Sequence, residues 1–517
     1  MRLFASCLLV VVATGPARAG GFVDRYCNPL QVLLADPYVL RHEGTYYLYA
    51  TSDVHNGYFV WTSDDLVHWV HRGYCFRKTE TSWGRYHFWA PEVVEKGGVF
   101  YLFYSASPSF QIAAAGKAVC VATAESPLGP FVDAAAPLLR LDHDTIDGHC
   151  FLDDDGRAYL FFVLELMQAG GNQVYVAPLS ADLLSIAATP AFCLKAERPW
   201  ESAGEWHVNE APFVVKHEGW YYLLYSGNGF SDPNYAVGYA TSRSPLGPWK
   251  KYEGNPILSR VPGVSGPGHN ALIKSPDGSE WFSVHHTHMW FSSGGRRQLA
   301  IDRVRFVPEA TGPARLVCDG PTLTPQPLPS GAKPFGRAGS DDFAGTALDR
   351  RHWIVFNESP EAWRLERGAL VVRPAGDARE HGDAARNVFL QYAPEGDFAA
   401  TVEVRAATGA FLCLWRDHDH FVRLAVGRDG RSLVVGEDRA GEWREQRTPM
   451  ARGDRVFLRL VRKGSEVSFS AGRDGKTWTD AGRCKFTDPL PMIGLGVVGG
   501  RREPTWDTRF LGFAVTP

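Results

Sequence analysis

Little net charge, no paired cysteine motif and, past the amino terminus, no long apolar run characterise this sequence, and each lack removes a class of function. A formal net charge of -3 over 517 residues supplies no global attraction to nucleic acid and no membrane-surface signal. The nine cysteines include no Cys-x-x-Cys pair, which removes zinc-ribbon and thioredoxin-like readings. Eight of them follow Cys7, and an oxidising compartment would leave them as disulfides or as buried free thiols. Beyond residue 19 no stretch reaches the roughly 18 apolar residues of a transmembrane helix.

The first 19 residues read as a targeting segment. Arg2 gives the positive charge, Leu3 to Ala13 an apolar run too short to span a bilayer, and Ala17-Arg18-Ala19 a small-x-small cleavage site. The expectation is an exported protein, periplasmic or extracellular, that begins near Gly20 and has no membrane partner. Its remaining length exceeds what one core supports and calls for two or more domains.

Aromatic residues are abundant, at 13% with 16 Trp, and they fall into a repeat. Gly44-Thr45-Tyr46-Tyr47, Gly98-Val99-Phe100-Tyr101, Gly156-Arg157-Ala158-Tyr159, Gly219-Trp220-Tyr221-Tyr222 and Gly278-Ser279-Glu280-Trp281 share one layout, with glycines 54, 58, 63 and 59 residues apart. That spacing is too long for a hairpin repeat and suits a four-stranded blade with its loops, so five copies predict a five-bladed β-propeller. The strands carry aromatics on both faces, as a sheet covered on both sides requires. Ser126-Pro127-Leu128-Gly129-Pro130-Phe131 and Ser244-Pro245-Leu246-Gly247-Pro248-Trp249 are near copies and add a second internal repeat.

Six to nine residues before those glycines stand Asp36, Glu92, Asp147, Glu210 and His269, one ionisable group per repeat. In a propeller the first strand of each blade lines the axis, so all five are expected to converge on one end of one channel. Asp36 before Pro37 and Asp147 before Gly148 also read as turn residues, and Glu92 also reads as a buried partner for a basic group. His285-His286-Thr287-His288 reads as a strand-end structural or sugar-contact group or, less simply, as a metal cluster.

Six motifs in order carry a resemblance. Ala35-Asp36-Pro37, Trp89-Ala90-Pro91-Glu92, Ile146-Asp147, Asn209-Glu210-Ala211-Pro212, Gly268-His269-Asn270 and Arg297-Gln298-Leu299-Ala300-Ile301-Asp302 resemble glycoside hydrolase family 43 from about Asn28 to Pro308. The resemblance implies inverting hydrolysis of arabinose, xylose or occasionally galactose linkages. It also implies Asp36 as general base, Glu210 as general acid and Asp147 as the carboxylate that orients the acid. Arg297 would bind sugar hydroxyls, Trp89 would form a stacking wall, and His269 would touch an axial calcium ion or water cluster, with no cofactor needed for the chemistry. Two departures, Ala211 for a usual Gly and Gly148 for a frequent Pro, remove no functional group. An inverting enzyme needs one ionised and one protonated carboxyl on opposite faces of the sugar, and a third negative group keeps the acid protonated.

From residue 313 the character changes. Six prolines fall from Pro313 to Pro334, which predicts a stiff linker over 313–339. Short alternating segments then predict an antiparallel β-sandwich over 340–517, similar to the concanavalin-like jelly roll that follows many propellers of this family. It either shapes the pocket rim or stabilises the propeller. The expected function is removal of a terminal arabinose or xylose from plant cell-wall oligosaccharide by a propeller spanning 22–312. A non-catalytic carbohydrate-binding propeller and a β-galactosidase-type member of the family are the alternatives.

Overall fold

The structure is a computed structural model that describes residues 21–517 apart from 112–115, 167–170, 205, 291–292, 375–385 and 500–506. The targeting segment lies outside the described residues. No helix among the described residues is long and apolar enough to cross a membrane.

Five four-stranded antiparallel sheets follow one another along the chain, each built from consecutive strands. Their first strands are Ala35–His42, Tyr86–Lys96, Thr145–Leu152, Asn209–His217 and Gly268–Lys274. Each glycine of the sequence repeat lies between the first and second strands of its blade, and the five-bladed propeller is as expected. The aromatic strands bury both faces because apolar clusters fill the space between successive blades. Tyr46 and Leu48 meet Phe282 and Ile301 where the first blade meets the last, and four further clusters fill the other boundaries. Each fully buried Leu or Phe there contributes about 1.5–3 kcal/mol.

The segment 30–34 that leads into blade one bonds backbone to backbone with 297–299 of blade five and so helps close the ring, and one further set of contacts between blades is repeated five times. Every first strand carries a bulge, with register shifts at Ala35/Tyr38, Trp89/Glu92, Ile146/His149, Glu210/Phe213 and Gly268/Ala271. Within each bulge one residue has positive φ: Asp36 (54°), Ala90 (40°), Asp147 (54°), Ala211 (55°) and His269 (49°). A bulge releases that residue's N–H from its ladder, and a buried N–H needs an acceptor. The acceptor comes from the preceding blade. Ala90 donates to Thr51 Oγ1 (2.8 Å), Asp147 to Ser105 Oγ (2.9 Å), His269 to Ser226 Oγ (2.9 Å) and Asp36 to His286 Nδ1 (3.1 Å). Blade three has Val163 at this register, and the Asp147 carboxylate takes over, accepting from Ala211 at 3.1 Å.

The segment expected to be a linker over 313–339 is irregular for most of its length but is anchored at three short strands. Arg315–Cys318 is the outer strand of blade five, Gln326–Pro327 pairs with Arg25–Tyr26 and Phe335–Gly336 with Phe22–Val23. Proline stiffens the chain without removing its carbonyls, and residues between the prolines clip the amino-terminal segment in place. The sandwich is two seven-stranded antiparallel sheets closed over a core that includes Phe343, Trp353, Leu412, Leu458 and Phe510. It docks on the propeller through Trp415 Nε1 to Gln31 Oε1 (2.9 Å), Gln31 Nε2 to the Arg416 carbonyl (3.0 Å) and His68 Nε2 against the Tyr392 hydroxyl at 3.2 Å, with His68 also stacked on Phe335 of the preceding segment at 3.8 Å. All eight cysteines among the described residues are free thiols.

Ser226 is fully buried. Ser226→Ala leaves the His269 N–H without its acceptor and is expected to lower unfolding stability by about 1–3 kcal/mol, read by denaturant titration. An unchanged midpoint would show that the inter-blade ring contributes nothing to closure.

Candidate active site

The bulges decide which side chains reach the axis. Asp36, Asp147 and His269 occupy equivalent bulge positions, and Glu210 stands one residue before its own, at Ala211. All four are buried. Glu92 does not join them, which corrects the expectation of five converging groups. It lies two residues beyond its bulge residue Ala90, and its Oε2 holds His149 Nδ1 at 2.6 Å, while His149 Nε2 accepts the Val214 N–H at 3.0 Å. Glu92 is therefore the buried partner of a basic group, a clasp running across blades two, three and four.

Asp36 takes two side-chain hydrogen bonds and lies against two imidazoles. Arg297 Nη1 donates to Oδ1 at 2.8 Å and Thr51 Oγ1 to Oδ2 at 2.6 Å, with His269 Nδ1 and His286 Nδ1 each 3.4 Å from Oδ1. Burial opposes ionisation, yet Arg297, His269 and His286 together hold the Asp36 carboxyl well below the ordinary carboxylate range. Glu210 has no such cation. Tyr235 donates to Oε1 at 2.8 Å and Asn172 Nδ2 to Oε2 at 3.5 Å. Burial pushes Glu210 up to about 7 against the Tyr235 hydrogen bond, and Asp36 and Glu165 raise it further. Asp147 is raised by burial too, with His269 opposing and Glu210 and Asp36 adding to the rise. One site thus holds an ionised carboxylate beside two carboxyls that keep a proton near neutrality.

The walls are aromatic. Trp89 is half-buried, with the Lys117 ammonium 5.2 Å from its ring centroid, and Lys117 is itself held by Glu165 at 2.6 Å and Asp144 at 3.3 Å. Across from Arg297, whose guanidinium lies 4.8 Å over the Phe230 ring, Phe230 and Trp206 are exposed. The two sequence departures fit locally. Ala211 carries the left-handed backbone that a Gly would take without strain, and a Cβ on Gly148 would meet Val119 Cγ1 at 2.5 Å.

The His285–His288 run is no metal centre, because its rings part company. His286 lies beneath Asp36, His288 Nε2 meets the Phe230 carbonyl at 2.8 Å and His285 Nε2 faces Asp302 at 3.6 Å. At His269 the donor set does not fit a directly liganded calcium: it is one imidazole facing Asp36, a carboxylate already engaged by Arg297. Among the described residues the one group of three metal-type donors is Asp417, Asp419 and His420, in the sandwich. There both carboxylates pair with His420, at 3.1 and 2.8 Å. Thr51, Asn172, Phe230, Tyr235 and His286 are the site residues that sequence reasoning did not assign.

Fold and carboxyl cluster together define a propeller glycosidase. The chain belongs to the glycosyl hydrolases family 43, whose profile matches residues 26–311, and a beta xylosidase C-terminal concanavalin A-like domain matches 340–489. It is 28% identical over 296 residues to a beta-D-galactofuranosidase of Aspergillus niger, covering 53% of this chain and 79% of that protein. It is 29% identical over 436 residues to a putative beta-xylosidase of Xylanibacter ruminicola, covering 80% and 75%. A solved thermostable family-43 glycoside hydrolase matches with 42% identity and a TM-score of 0.56, over 59% of this chain and all of its own.

Carboxyl titration followed by NMR is expected to place the Glu210 midpoint near 7 while Asp36 stays ionised to well below its usual range. The Tyr235 hydroxyl favours the ionised form of Glu210, so Tyr235→Phe should move that midpoint upward. A downward shift would contradict this hydrogen bond. An ion held near His269 through water would make exhaustive dialysis against EDTA lower melting temperature and activity together; no shift in either would leave only water there.

Proposed function

We propose that this glycosidase removes a terminal arabinofuranose or xylose from plant cell-wall oligosaccharide with inversion at the anomeric carbon. The observation that carries the reading is the contrast between two buried carboxyls in one site, Asp36 held by the Arg297 guanidinium and Glu210 met only by the neutral Tyr235 hydroxyl and Asn172 amide. Asp36 is the general base, ionised across the working range, that takes a proton from the attacking water. Glu210 is the general acid that protonates the departing oxygen, and Asp147, bonded to the backbone of the next residue, fixes the acid's position. Arg297 reaches both Asp36 and the space above it, where sugar hydroxyls would lie, and Trp89 and Phe230 offer ring faces for stacking.

Pentose is favoured by the likeness to a protein named a beta-xylosidase that extends over both domains. The galactofuranosidase relative supports a furanose reading as well, since β-D-galactofuranose and α-L-arabinofuranose share ring configuration and differ in the exocyclic group. The exposed aromatics Trp206 and Phe230 at the rim support a pocket that takes a chain end. Export follows from the segment Met1 to Ala19, and the secreted protein should begin near Gly20 when sequenced from its amino terminus.

Loss of the acid should depend on the leaving group. Glu210→Gln is expected to reduce release from alkyl or sugar glycosides by roughly 10²–10⁴-fold while sparing substrates with a good aryl leaving group, whereas Asp36→Asn should reduce both alike. NMR of the wild-type reaction should first show the anomer opposite to that of the substrate. Initial release of the retained anomer would make Asp36 a nucleophile instead. A nitrophenyl glycoside panel containing both pentosides and the galactofuranoside decides the glycone.

A further inference from the structure

A cavity of about 930 Å³ opens between blade one and the sandwich, away from the three carboxyls. Its propeller wall is aromatic. Phe59 and Trp61 share a face of the third strand of blade one, and the irregular register of the fourth strand brings His71 and Tyr74 beside them. The Phe59 ring lies 4.3 Å from Tyr74 and 4.8 Å from His71, with Trp61 5.1 Å from His71. The Tyr74 hydroxyl is fixed by Asp53 at 2.6 Å. His71 Nδ1 accepts the Gly73 N–H at 3.1 Å, which leaves the proton on Nε2, and burial lowers its pKa to about 4, so the ring is a neutral donor.

The opposite wall is polar and comes from the sandwich, through the segment 357–361 and Arg386. Charges of both signs line the cleft, Asp53, Glu358 and Glu361 with Arg72 and Arg386, and Glu358 is already paired with Arg350. Such a cleft selects neither an anion nor a cation. Ring faces on one side and fixed donors and acceptors on the other match a neutral polyhydroxylated chain, whose C–H faces stack and whose hydroxyls bridge carboxylate and guanidinium. The cleft also borders the catalytic site. Its edge is the turn from Ser52 to His55; Thr51 just before it holds Asp36, and the Val54 carbonyl accepts the Phe88 N–H beside Trp89.

We propose that the cleft between blade one and the sandwich is a second carbohydrate-binding site, which holds the part of a neutral oligosaccharide lying beyond the sugar to be released. The choice of oligosaccharide rests on the pentosidase reading above; the cleft itself does not. In the full-length Asp36→Asn protein, which leaves substrate uncut, calorimetry with xylo- and arabino-oligosaccharides of increasing length should show affinity rising with length. Tyr74→Ala and, separately, the exposed-site change Arg72→Ala should each remove that gain, by about tenfold for the longest chains. In the active background both variants should keep kcat/KM on nitrophenyl glycosides within about twofold while raising KM on long oligosaccharides, with unchanged melting temperature as the folding control. Affinity independent of length, or a length dependence that neither substitution moves, would overturn the proposal. If the wild-type enzyme cleaves no pentoside yet binding stays length-dependent and sensitive to Tyr74, the pentosidase reading falls and the cleft stands.

Discussion

An amide proton released from its ladder by a bulge has to find an acceptor, and here it finds one across a blade boundary five times in succession. That constraint ties each blade to the next, and it also places the catalytic groups. The residues that donate around the ring include Asp36, Asp147 and His269 themselves, so backbone closure and side-chain aim are settled by the same bonds. Thr51 shows the economy most plainly, accepting from Ala90 while donating to Asp36.

Burial alone would make all three carboxyls alike. What separates them is the distribution of donors: an arginine and a threonine hydroxyl on Asp36, a phenol and an amide on Glu210, a single backbone N–H on Asp147. Charged donors reverse the desolvation penalty, and neutral ones only moderate it. Lys117, beside the Trp89 wall, is engaged by Glu165 and Asp144, and Glu165 is among the groups that raise Glu210. Opposite protonation within one cavity is thus a matter of which neighbours keep a free charge.

Much of this was legible in the chain. The glycine spacing exposes five blades because every turn between first and second strands demands the same local chemistry, and Asp36, Asp147, Glu210 and His269 stand out by position relative to it. Glu92 misled because spacing in residues is not register in space: one extra residue in each bulge shifts what faces the axis, and no single stretch announces a bulge. The acceptors left a fainter trace. Thr51, Ser105 and Ser226 each follow their turn glycine by seven residues, with Val163 the exception in blade three, but isolated hydroxyls after aromatic strands look like ordinary strand ends. Tyr235 and Asn172 come from loops and strand edges whose approach to Glu210 is set by tertiary packing, and the pairing of the proline-rich segment depends on partners at the other end of the chain.

That last pairing bears on the order in which the molecule can be made. Phe22–Val23 and Arg25–Tyr26 find their partners at Phe335–Gly336 and Gln326–Pro327, about three hundred residues later in synthesis. At ~5–20 residues per second the amino end waits roughly 15–60 s for them. During that interval blade one lacks the cover that Phe335 gives His68 and that Trp415 gives Gln31. The sandwich is therefore the last piece of the propeller as well as a domain in its own right, and a boundary drawn between them on the sequence cuts through a structure that is finished only when both have left the ribosome.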